Sequence, residues 1–116
     1  MAFQIEPFGI AQQSYSGQVA GTVVNIPSTK AVVLKSMLLI NTTAAVAYLQ
    51  MFNVPGGQVT LGTTAPTLAI GLPANAGLVL SIPLGHKFGD TAFSVAGTTT
   101  RTGNTAAAID ANFIYD

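Results

Sequence analysis

Apolar and polar residues along this chain follow the period of a strand. Apolar positions spaced at i, i+3 and i+4 are nearly absent, while short runs of Val, Ile, Thr, Phe and Tyr recur between Gly, Pro and Asn, a pattern that predicts strands. The expected strands are residues 19–26, 31–40, 46–54, 67–72, 78–83, 92–96 and 107–115. Between them lie Pro27-Ser28, Asn41-Thr42, Pro55-Gly56-Gly57, the run from Pro73 to Gly77, Gly89-Asp90 and Gly103-Asn104. Each is a turn signal with a mechanism, since Gly admits positive φ and Pro holds φ near about −65°.

The last strand alternates most clearly. Ile109, Ala111, Phe113 and Tyr115 are expected on one face, with Asp110, Asn112 and Asp116 on the other, as in a half-buried antiparallel strand. Leu78, Leu80 and Ile82 alternate against Val79 and Ser81 in the same way. Residues 46–52 differ, being apolar on both faces except at Gln50, and residues 31–40 are nearly so. Such a strand is either central to a sandwich with something packed outside it, or part of a subunit contact. Short strands at regular spacing with Gly/Pro turns predict an all-β protein, an antiparallel β-sandwich of jelly-roll-like type with about seven to eight strands.

The first sixteen residues, MAFQIEPFGIAQQSYS, stand apart. Phe3, Ile5, Phe8 and Ile10 are apolar, Pro7 interrupts them, and a polar stretch follows. Termini are poorly ordered unless tied down, and four large apolar residues imply that this one is tied to something. Residues 1–16 are therefore expected to form an N-terminal arm or first edge strand, and residues 17–116 the sandwich domain. This N-terminus has no basic region followed by an apolar one and is not expected to be a signal peptide. The longest apolar stretch, residues 37–52, is broken by Asn41, Thr42, Thr43 and Gln50, and falls short of the ~20 residues that span a bilayer.

Charge changes the picture most. Only 7% of the 116 residues are Asp, Glu, Lys or Arg and the net charge is zero, where soluble domains carry about 25% charged residues. Such a surface lacks the repulsion that keeps copies apart, so much of it is expected to be covered by other copies or a larger assembly. The four basic residues, Lys30, Lys35, Lys87 and Arg101, are scattered. They form no stripe for phosphates, which argues against nucleic acid, and no basic amphipathic helix for a membrane surface. The absence of Cys excludes disulfides and thiolate metal sites.

Groups for catalysis are scarce. His86, in GHKFGD, has Asp90 four residues on, a conceivable base and orienter, but a solvated turn leading into Phe88 is the preferred reading. No serine sits in GxSxG. Asp110 and Asp116, on one side of a strand, would be roughly 20 Å apart, too far to act as a pair. No His or acid cluster suggests a metal, and Gly56-Gly57 lacks the Lys-Ser/Thr of a phosphate loop. No catalytic residue, metal site or cofactor is expected, and the chain is not read as an enzyme. Asn41-Thr42-Thr43 matches the glycosylation sequon, a weak pattern. A carbohydrate-binding module would need open aromatic faces; three Tyr and six Phe are available, with no Trp.

The segments AYLQMFN at 47–53, LGTTAPTLAIGLPANAG at 61–77, LGHKFG at 84–89, FSVAGTTT at 93–100 and TGNTAAAIDANFIYD at 102–116 resemble small virion structural proteins of tailed bacteriophages. The resemblance covers about the last 70 residues and consists of strand and turn patterns. It implies a jelly-roll-like capsid decoration or cement protein that binds the outer head surface, and so a virion location. The implied partners are itself, as a homotrimer, and the major capsid protein or another virion protein. Tail, neck or baseplate placement is the alternative, followed by a carbohydrate-binding module. The expected contact residues are Phe3, Ile5, Phe8, Ile10, Val46, Tyr48 and Phe52.

Overall fold

The alternation in the last strand is realised directly. In the computed structural model, which describes residues 13–28, 31–87 (82–87 by backbone course alone) and 92–115, Ile109, Ala111, Phe113 and Tyr115 are buried. Asp110 and Asn112 are half-buried, and Ile114 lies exposed on the opposite face. Eight strands are formed: β1 (Gln13–Val19), β2 (Val24–Pro27), β3 (Val33–Asn41), β4 (Ala47–Phe52), β5 (Leu68–Leu72), β6 (Gly77–Lys87), β7 (Ala92–Thr98) and β8 (Ile109–Tyr115). A 3-10 turn, Gly56–Gln58, follows β4.

The strands make two four-stranded sheets, sheet A in the order β1-β8-β3-β6 and sheet B in the order β2-β7-β4-β5. Every pairing is antiparallel. Each strand pairs with its counterpart counted from the other end, β1 with β8, β2 with β7, β3 with β6 and β4 with β5. The chain is thus one long hairpin wrapped into two layers, the connectivity of an eight-stranded jelly roll.

Two expectations change in detail. Residues 19–26 do not form one strand: β1 ends at Val19, the chain crosses between sheets, and β2 begins at Val24. The crossing is pinned where Ala20 O accepts from Gly97 N at 2.8 Å. There Gly21 lies so close to Ala106 that an added Cβ would stand 2.8 Å from the Ala106 Cβ. Second, β6 does not stop at Pro83 but continues to Lys87, so His86 and Lys87 lie in a strand and not in a turn. Proline is tolerated because β6 is an edge strand, with one side free of ladder bonds. The ladder also slips here: Leu34 faces His86 and Ser36 faces Ser81, so β6 carries extra residues around Pro83. Against β8, Leu34 faces Tyr115 and Ser36 faces Ile114. Lys35 is the inserted residue of a bulge, and this lets Leu34 and Met37 both point inward.

The core lies between the sheets, with Leu34, Met37, Leu39, Ile109, Ala111 and Phe113 from sheet A meeting Ile26, Leu49, Met51, Phe93 and Val95 from sheet B. Phe93 bridges the layers edge-on, 5.6 Å from Phe113 and 5.4 Å from Tyr115 between ring centroids. Such pairs add about 0.5–1.5 kcal/mol each beyond area burial.

Candidate protein-contact face

The two sheets present different outer faces. On sheet B, the outward residues Gln50, Phe52, Ser94, Ala96 and Thr98 are nonetheless buried, because segments 53–67 and 99–108 fold over them. The Ser94 hydroxyl donates to Val54 O at 2.9 Å, and Gln50 Nε2 donates to Thr98 Oγ1 at 2.7 Å and to Gly103 O at 3.0 Å. The 3-10 turn packs on β2 and β7, with Gly56 N donating to Asn25 Oδ1 at 2.8 Å. The two segments approach each other where Gly62 (φ 85°) faces the Asn104 side chain.

Sheet A carries no such cover among the described residues. Its register places Ser16, Asn112, Leu38 and Val79 in one outward row, with Gln18, Asp110, Ile40 and Gly77 in the next and Ser14, Ile114, Ser36 and Ser81 on the other side. Leu38 (38% exposed), Ile40 (39%), Val79 (75%) and Ile114 (39%) therefore form a contiguous apolar stripe. Direct cross-strand neighbours lie about 4.5–5.5 Å apart and diagonal ones about 7–8 Å. Water contact with such a stripe is unfavourable at about 25 cal/mol per Å², and rimmed apolar patches mark contact sites.

The expected contact residues fall in three places. Val46 is 49% exposed, just before β4. Tyr48 is half-buried on the outer face of sheet B, its ring over Gly71. Phe52 is 1% exposed, so the two-faced apolar character of β4 is met by packing from its own chain. Phe3, Ile5, Phe8 and Ile10 lie outside the described residues. The stripe on sheet A was signalled in the sequence by the nearly two-faced residues 31–40 and by Val79 opposite Leu80. What the sequence did not carry was which of the two-faced strands its own loops would cover.

Groups for chemistry do not converge among the described residues. Asp110 is the sole described carboxylate and lies outward on β8 between Gln18 and Ile40. His86 lies opposite Leu34 in β6, and Asp90 is outside the described residues. No group of three His, Cys, Asp or Glu comes together among the described residues. Asn41 of the sequon is 1% exposed and works as a turn brace. Its Nδ2 donates to Ala45 O at 2.8 Å and Pro73 O at 2.9 Å, and its Oδ1 accepts from Thr43 N at 2.9 Å. None of the described aromatic side chains is fully exposed, Tyr15 and Tyr48 being half-buried; Tyr15 stacks on Phe113 at 6.2 Å. No described helix is long and apolar enough to cross a membrane.

No family model matches the sequence, and no curated protein matches it. Among solved structures, the coat protein of Tobacco streak virus is similar at a TM-score of 0.39 and 12% identity, over 90% of this chain and 85% of that one. At that score the likeness carries no argument, and the jelly-roll assignment rests on strand order and register.

Proposed function

We propose that this chain is a structural part of a bacteriophage virion, a decoration or cement protein that binds the outer head surface as a homotrimer and does no chemistry. The observation that carries the proposal is the apolar stripe of Leu38, Ile40, Val79 and Ile114, left uncovered among the described residues, on a domain with only 7% charged residues. A rigid sandwich with one sticky face and little charge suits permanent contact with other proteins better than a free life in solution. The resemblance of residues 46–115 to small phage virion proteins supports the same reading and supplies the particle. Contacts at Val46 and Tyr48, on the other sheet, would let one copy touch two neighbours, as a closed ring with heterologous contacts requires.

The test is the molar mass of the purified chain by size exclusion with light scattering, followed by binding to isolated phage heads. We expect a trimer that binds heads, and expect Val79→Asp to abolish the trimer or the binding while leaving the thermal midpoint within a few degrees. A ring of higher order that ignores heads would move the protein to the tail, neck or baseplate. A monomer that binds no virion part would overturn the proposal.

A further inference from the structure

The geometry points to an exchange of arms: residues 1–12 of one copy lie along the Leu38–Ile40–Val79–Ile114 stripe of a second copy. This placement rests on the assembly proposed above. Three observations lead to it.

The first is direction. β1 starts at Gln13, level with Tyr115 of β8 and Leu34 of β3, and runs toward the Ile109 end. The stripe begins at Ile114 and runs the same way, to Ile40. A segment upstream of Gln13 that keeps the strand's course therefore leads away from the stripe of its own chain. Gln13 is held at this exit, its Nε2 donating to Ser28 Oγ at 2.9 Å. To reverse after Ile10, the chain has only Ala11-Gln12, with neither Gly nor Pro. A reversal at Gly9 would leave Ile10 on the β1 side of the turn, away from the stripe.

The second is reach. Twelve extended residues span up to about 40 Å at roughly 3.3 Å each, far enough to leave one domain and cross a neighbour's sheet. The third is pattern. Phe3 with Ile5, and Phe8 with Ile10, are spaced by two, so an extended segment shows each pair on one face. Pro7 biases Glu6 toward extended backbone as well. In a regular extended segment the two pairs face opposite sides, so either pair, Phe3 with Ile5 or Phe8 with Ile10, offers two large apolar side chains to an apolar stripe that nothing in the described chain covers.

The chain has no cysteine, which makes the test direct. Phe8→Cys and Val79→Cys are placed in separate chains with different tags, co-expressed, gently oxidised and separated without reductant. We expect a mixed disulfide between the two chains as the main oxidised product. It should be lost when Thr102→Cys, exposed on the segment over sheet B, replaces Val79→Cys. A link that forms only within a chain carrying both Phe8→Cys and Val79→Cys would overturn the exchange, as would no link at all. If the unmodified chain still forms trimers and binds heads in those cases, the arm placement fails and the virion role stands. A chain that is monomeric at every concentration and binds no virion part removes both.

Discussion

Phe113 shows how much rests on single side chains. It is 1% exposed, sits edge-on to Phe93 of the other sheet, and stacks on Tyr15 of β1. Phe113→Ala should cost about 3–5 kcal/mol of unfolding free energy, read as a lower urea midpoint; a near-neutral result would contradict its place between the layers. Tyr115 ties the layers by a different means, its hydroxyl donating to Pro27 O of β2 at 2.9 Å. Burial holds its phenol above the ordinary value of 10.0. The folded state then keeps this proton at a pH where the unfolded chain has released it, so stability is complete below that value and falls as pH rises beyond it. Tyr115→Phe should cost about 1 kcal/mol at neutral pH and flatten the alkaline loss, checked by denaturation midpoints at pH 7 and above 10. Asn41 belongs to the same scale. As a sequence it reads as a sequon, yet it is the buried hub of a turn, and only the carbonyls gathered around it tell the two apart.

At the scale of elements, the strand alternation was legible because a period of two with one buried face leaves little choice of register. β8 is the clear case. Less legible were the places where the chain changes sheet. Residues 19–26 read as one continuous β pattern, since Ala20 to Val23 contain nothing stronger than Gly21 to stop a strand. The crossing is decided by a distant element, β7, at Gly97. Its N–H donates to Ala20 O at 2.8 Å and its carbonyl accepts from Ala107 N at 3.0 Å. A Cβ at residue 97 would collide with Ala107 O and stand 3.1 Å from Val19 O. Both contacts are with backbone, so no rotamer change relieves them. Gly97→Ala should cost about 1–3 kcal/mol or more, seen as a lowered thermal midpoint. Unchanged stability would mean that the backbones at this crossing can separate freely. The extension of β6 through Pro83 teaches the same lesson. Proline argues against a central strand, and only the sheet order shows that β6 is at an edge.

For the whole molecule, the near absence of charge and the two-faced apolar strands pointed to covered surfaces, and the structure separates two kinds of cover. Segments 53–67 and 99–108 cover the centre of the outer face of sheet B, over β4 and β7, from within the chain. The stripe on sheet A has no such cover among the described residues, and the proposed assembly and arm exchange both follow from that asymmetry. By itself, the sequence determined the all-β class, the inward face of β8 and a composition poor in charge, because alternation, turn chemistry and composition are local or summed properties. Only the tertiary structure decided the jelly-roll order, the sheet crossings and which apolar face stays open among the described residues. Those depend on pairings between residues far apart in the chain, such as Tyr15 with Phe113 and Leu38 with Val79, and on where the long loops come to rest once those pairings are made.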